Sequence, residues 1–146
     1  TAYKVAAQDT YPSWGCWIAN GATTLLENWD LKATRDISDN HMMFGEIGGW
    51  FYKGLGGIFP DPQQPGFKHI LLRPNFPTGL NQFEAKHQSP YGEICSKWER
   101  KKNIILYTIK VPANSSATLY LPDNIKGEER TIELVAGEYN FKFKLK

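Results

Sequence analysis

The chain has 146 residues, 41% hydrophobic and 22% charged, the size and balance of a folded domain rather than of a disordered segment. Residues 1–58 carry four Lys/Arg against six Asp/Glu and residues 59–146 carry thirteen against nine, so neither half has the basic surplus expected of a nucleic-acid partner. No apolar run approaches the roughly 20 residues of a membrane-spanning helix, and no basic leader with an apolar core opens the chain, so no membrane partner is expected.

In chain order, Tyr11-Pro12-Ser13-Trp14-Gly15 reads as a loop, followed by a short helix from about Thr23 to Trp29. A second helix is expected over 41–58, where Phe44, Ile47, Phe51, Leu55 and Ile58 recur at three- and four-residue steps behind the N-cap types Ser38, Asp39 and Asn40. Gly45, Gly48, Gly49 and Gly54 interrupt it, each costing about 1 kcal/mol against Ala, which close helix packing would offset. Two helices are too few to bury Trp14, Trp17, Phe44, Trp50 and Phe51. Helices before residue 1 are therefore expected to complete the packing, as in a chain cut from something longer, or a second copy is expected to cover the arm in a dimer.

The stretch 59–66, with Pro60, Pro62, Pro65 and Gly66, reads as a stiff linker and the boundary between domains 1–58 and 67–146. Beyond it the period changes to two. Ile105, Tyr107, Ile109 and Val111 alternate with polar residues, as do Tyr139, Phe141, Phe143 and Leu145. Ile94, Ser96 and Trp98 make a weaker case, and 67–73, 80–88, 117–121 and 130–134 are further strand candidates. Seven or eight short strands indicate an antiparallel β-sandwich, so the fold class is α+β.

Four of the five tryptophans precede residue 58. Aromatics beside carboxylates suit a neutral polyhydroxylated ligand, which stacks on rings and donates hydroxyl hydrogens to carboxylates. Glu27 has two readings. Thr24-x-x-Glu27 is the pattern of a capping box, the reading its spacing favours, and the other reading is a general base. His41 reads either as an ordinary polar contact near a helix N-terminus or as a binding residue. Trp29 is a stacking platform or core, and Trp50 is core. His69 and His87 read as structural, and Arg100-Lys101-Lys102 as a solvated hairpin turn. Cys16 and Cys95 match no metal or redox spacing and read as free thiols.

Tyr11-Pro12-Ser13-Trp14-Gly15, Gly21-Ala22-Thr23-Thr24-Leu25-Leu26-Glu27-Asn28-Trp29-Asp30, and Asn40-His41 with Phe44-Gly45 resemble, in order, the end of the catalytic domain of bacterial α-L-rhamnosidases, glycoside hydrolase family 78. Gly57-Ile58, Asp61-Pro62, Pro65-Gly66-Phe67 and Leu72-Arg73-Pro74 are similar to that family's crossing into its C-terminal sandwich. The resemblance implies the closing helices of an (α/α) toroid followed by the sandwich, and a parent enzyme that removes terminal α-L-rhamnose from a glycoside or polysaccharide with inversion. It implies Glu27 as general base, His41 as ligand to a rhamnose hydroxyl, Trp29 as a stacking residue, and a general acid lying upstream of this chain, so that the fragment alone is expected to be inactive. No metal or organic cofactor is expected, and the compartment is left open between periplasmic and extracellular. Leu26 stands where the family has an aromatic, and the stretch from Asp30 to His41 is short, which leaves the aglycone open. The alternative is a non-catalytic carbohydrate-binding or structural sandwich, with Glu27 only a cap.

Overall fold

The computed structural model describes residues 2–35, 38–127 and 129–146, and the chain divides into two compact units, Thr1–Gly49 and Trp50–Lys146.

In the first unit, helix α1 (Ala2–Ala7) precedes helix α2 (Trp14–Ala19). Ser13, expected in a loop, is the buried N-cap of α2, and its Oγ accepts from the Cys16 amide at 2.8 Å. Gly15 permits the close approach of the preceding chain, because a Cβ there would lie 2.2 Å from the Gln8 carbonyl oxygen. The helix expected over 23–29 does not form, and the described residues from 20 to 41 are turns and irregular chain. Trp14, Trp17 and Phe44 are not left uncovered, since they pack on one another and on Trp29. Among the described residues of this unit, Tyr11, Ile18, Leu31, Met42 and Met43 are the large apolar side chains that remain exposed.

The helix expected over 41–58 is a run of three different turns. Met42–Gly45 is 3-10, Glu46–Trp50 is α-helical (α3), and Phe51–Leu55 is π-helical. His41, not Ser38, Asp39 or Asn40, is the residue that caps it. Close packing accounts for Gly54, whose Cβ would overlap the Trp50 indole at 2.4 Å, whereas Gly48 has nothing within 4 Å.

The second unit is a β-sandwich of eight strands: β1 (Ile58–Pro60), β2 (His69–Leu72), β3 (Gln82–Ser89), β4 (Gly92–Lys101), β5 (Ile104–Val111), β6 (Ser116–Tyr120), β7 (Thr131–Leu134) and β8 (Gly137–Lys144). One sheet has the order β1-β2-β6-β7 and the other β3-β4-β5-β8. All pairs are antiparallel except β2 with β6, which are parallel. The period of two places Ile70, Leu72, Ala117 and Leu119 on one inner face and Ile94, Trp98, Ile105, Tyr107 and Ile109 on the other, forming one core. Trp98 is 1% exposed and donates its indole N–H to the Leu55 carbonyl. On the outer face Lys86 and Lys97 pair with Glu84, whose carboxyl they hold below its usual range. β3 is an edge strand of its sheet, and the Glu84 and Lys86 charges on it discourage pairing with other chains.

The 59–66 stretch is not a free linker. Ile58–Pro60 pairs with β2 through Ile58↔Leu72 and Pro60↔Ile70, and the remainder is the turn between them. The π-turn ahead of it also belongs to the sandwich: Leu55 is 2% exposed, and the Leu55, Gly56 and Gly57 carbonyls accept from Trp98, Ser96 and Arg73. Arg100 is not simply a solvated turn residue, because it donates to the Phe76 and Pro77 carbonyls and holds that loop. His69 bridges the parallel strands, with its ring nitrogens on Ser116 and Thr118, while His87 packs on Phe67.

Candidate active site

The residues singled out by sequence meet in the first unit because two separated segments, 24–27 and 38–41, run alongside each other. The Glu27 amide donates to the Ser38 carbonyl at 2.9 Å, the His41 amide to the Leu25 carbonyl at 2.8 Å, and the Thr24 hydroxyl to the Asp39 carbonyl. Thr24 therefore caps nothing, and with no helix at 23–29 the capping-box reading of Glu27 has no backbone to act on.

This pairing places two side chains together. The Glu27 carboxylate accepts the Ser38 amide on Oε2 at 3.1 Å. Its Oε1 lies 3.9 Å from His41 Nε2, with the Glu27 side chain 27% exposed and that of His41 39%. His41 is held in turn by the first turn of the helical run, where its Nδ1 accepts the Met43 amide at 3.1 Å. Each partner is thus anchored through one polar atom and leaves the other free on the same side.

The aromatic cluster supports this arrangement. Trp17 Nε1 donates to the Trp29 carbonyl and Trp14 Nε1 to the Phe44 carbonyl, both at 3.3 Å. These bonds fix the chain just after Glu27 and just after His41. Trp29 lies with ring centroids 4.5 Å from Trp17, 4.3 Å from Phe44 and 4.8 Å from Trp14. Trp29 is half-buried in that cluster. A neighbouring cleft is lined by Leu26, Asn28, Asp30, Leu31, Ala33, Ser38 and Asp39. It takes in both chain neighbours of Glu27 but not Glu27 itself. Ser38 and Met43, whose backbone amides hold the two key side chains, were not singled out for this role, since nothing in a side-chain pattern marks a backbone donor.

Among the described residues no group of His, Cys, Asp and Glu could hold a metal, and no helix is long and apolar enough to cross a membrane. Cys16 and Cys95 are free and buried; burial, with a smaller effect of nearby Glu84, pushes the Cys95 thiol up. In the sandwich Trp98 is enclosed, and Tyr91, 37% exposed, stands beside Lys68.

Residues 1–55 match the six-hairpin glycosidase domain of bacterial α-L-rhamnosidases and residues 57–143 match their C-terminal domain. An α-L-rhamnosidase of Formosa agariphila is 33% identical over 171 residues, covering 97% of this chain and 18% of the relative. One from Alteromonas sp. (strain LOR) is also 33% identical, over 95% of the chain and 17% of the relative. Among solved structures, an α-L-rhamnosidase from Dictyoglumus thermophilum aligns with a TM-score of 0.85 at 32% identity, over 97% of this chain and 18% of that one. The Streptomyces avermitilis α-L-rhamnosidase complexed with L-rhamnose aligns with a TM-score of 0.80 at 26% identity, over 99% of this chain and 16% of that one. The chain thus spans less than a fifth of the length of these relatives, and with an end of the six-hairpin domain joined to the C-terminal β-sandwich it belongs to the bacterial α-L-rhamnosidase family.

Proposed function

We propose that this chain is the C-terminal part of an enzyme that hydrolyses terminal α-L-rhamnosides with inversion, and that Glu27 is its general base. The observation that carries the reading is the divided use of the Glu27 carboxylate: Oε2 is tied to the Ser38 amide while Oε1 is turned toward the His41 ring. A carboxylate anchored through one oxygen keeps a defined orientation for the other, as proton abstraction from water requires. In an inverting hydrolase the base takes that proton as water attacks the anomeric carbon. A carboxylic acid about 6.5–9.5 Å away protonates the departing oxygen on the opposite face. The resemblance implies that this acid lies upstream of the present sequence. His41 lies beside Glu27 Oε1, where the resemblance implies it as ligand to a rhamnose hydroxyl, and the resemblance implies Trp29, packed on Trp17 and Phe44, as a stacking residue. Exposed Ile18, Met42 and Met43 suit burial under further helices of the six-hairpin domain, or under a second copy in a dimer.

The binding-module alternative has less support, because Trp98 is enclosed and Tyr91 alone of the two aromatics proposed for it reaches solvent. In a full-length polypeptide containing this sequence, Glu27→Gln is expected to lower kcat by about 10²–10⁴-fold with substrate binding nearly intact. Glu27→Ala with azide is expected to form the β-configured rhamnosyl azide, the azide attacking C1 as the aglycone leaves. Near-normal kcat in Glu27→Gln would refute the assignment.

A further inference from the structure

Strand β8 ends its sheet, and among the described residues of that sheet only β5 pairs along it. Each residue of such a strand turns its N–H and C=O to one side, and successive residues alternate. Leu145 faces β5, donating to the Asn103 carbonyl at 2.8 Å, whereas Lys144 faces away and accepts from the Lys126 amide at 2.8 Å. The β5–β8 register runs without a break from Ile104↔Lys144 to Val111↔Gly137. Tyr139, Phe141 and Phe143 therefore direct their backbone groups at β5, and Glu138, Asn140 and Lys142 present theirs to the open side. The other sheet edges offer less. β1 and β7 are three and four residues long, and on β3 the Glu84 carboxylate is taken up by Lys86 and Lys97 of its own chain. On β8, no ion pair among the described residues engages Glu138 or Lys142.

We infer that β8 pairs with β8 of a second copy of this chain, antiparallel about a two-fold axis through Asn140, so that the two four-stranded sheets join into one. This register sets Glu138 opposite the partner's Lys142 on both sides of the axis, and Glu138, Asn140 and Lys142 each exchange N–H and C=O with the residue opposite. A two-fold axis makes one position face its own copy, and Asn140 is the neutral member of the outer-face row Glu138, Asn140, Lys142 and Lys144. Centring on Lys142 would oppose like charges, and centring on Tyr139 would lose the Glu138–Lys142 contacts. Centring on Phe141 would call on the Lys144 carbonyl that Lys126 already holds. On the inner face, Tyr139 meets the partner's Phe141, and Phe143 meets the partner's Gly137, which has no side chain to obstruct the ring. These three rings are half-buried and nearly parallel in successive pairs, at 7° and 15°, so the pairing covers apolar surface that the edge leaves partly open. The chain enters β8 from β7, which lies in the other sheet, so the connection at 135–136 leads away from the joined edge.

The 146-residue chain itself provides the test. Sedimentation equilibrium should show a reversible dimer, and hydrogen exchange at the Glu138, Asn140 and Lys142 amides should slow as the dimer fraction rises. Glu138→Lys and Lys142→Glu each place like charges at both contacts, and either should weaken dimerisation about 10-fold or more. Both side chains are exposed, so neither change disturbs the core. Mixed in equal amounts, the two variants should pair with each other, because each supplies the charge that the other lacks at both contacts. A monomer at every concentration reached would overturn the inference. So would a dimer in which those three amides exchange freely, which would place the contact on another surface, or a mixture that associates no better than either variant alone.

Discussion

Removing the Ser96 hydroxyl should destabilise the sandwich more than removing the larger phenol it touches. Ser96 Oγ lies 2.6 Å from the Gly56 carbonyl oxygen and 2.9 Å from Tyr107 Oη, with Ser96 fully buried and Tyr107 1% exposed. The carbonyl can only accept, so it takes the Ser96 proton and Tyr107 must donate to Ser96. Ser96→Ala therefore strands a buried donor and removes the carbonyl's side-chain partner, at about 1–3 kcal/mol each, or about 2–6 kcal/mol together. Tyr107→Phe leaves the Ser96–Gly56 bond intact and should cost about 0.5–1.5 kcal/mol. In the double variant no phenol remains to be stranded, so it should be more stable than Ser96→Ala alone. Hydrogen exchange at the Ile105 and Ile109 amides of β5 reads the opening of this core separately from the first unit. At roughly 4–8 °C per kcal/mol for a domain of this size, Ser96→Ala should also lower Tm by about 10 °C or more. A double variant less stable than Ser96→Ala, or a Tyr107→Phe cost equal to that of Ser96→Ala, would refute the donor assignment.

Burial pushes the Tyr107 phenol well above its ordinary value of 10.0. Because the folded value is the higher one, this contribution is fully present below about pH 10 and is lost as pH rises beyond it; pH-dependent melts should show Tyr107→Phe losing less stability than wild type over that range. Gly57→Ala should cost about 3 kcal/mol or more, combining a φ of +70° with a Cβ 2.2 Å from the Pro74 nitrogen and 2.3 Å from the Arg73 carbonyl carbon, both backbone. A Tm within a few degrees of wild type would contradict it. A piece spanning 50–146 should fold, whereas one beginning at Gln63 should not. The shorter piece loses buried Leu55 and Ile58 and the carbonyls that accept from Trp98, Ser96 and Arg73. Dispersed amide resonances from the shorter piece would show that β1 is dispensable.

The strands were legible because their signal is local. Alternation across 105–111 and 139–145 states which side chains turn inward whatever the partner strand, and β5 and β8 lie where that pattern puts them. The same alternation carries no pairing order, so the parallel β2–β6 contact, joining residues more than 40 positions apart, was not foreseeable. The proline-rich stretch misled for a related reason: proline marks a turn but does not reveal that Ile58–Pro60 has an edge strand's place beside β2.

Around the candidate site the division is sharper. The residue types, Glu27 and His41, stood out in the sequence, but Thr24-x-x-Glu27 has the same spacing whether or not a helix forms there. Pairing of 24–27 with 38–41 decides the question, because it engages the Glu27 and His41 amides and the Thr24 hydroxyl in contacts a helix would forbid. Sequence alone thus determined which residue types are candidates for chemistry and which strand faces are apolar, properties set by side chains and their local period. Only the tertiary structure decided which oxygen of Glu27 and which nitrogen of His41 accept from the chain, since both are set by the backbone amides of Ser38 and Met43.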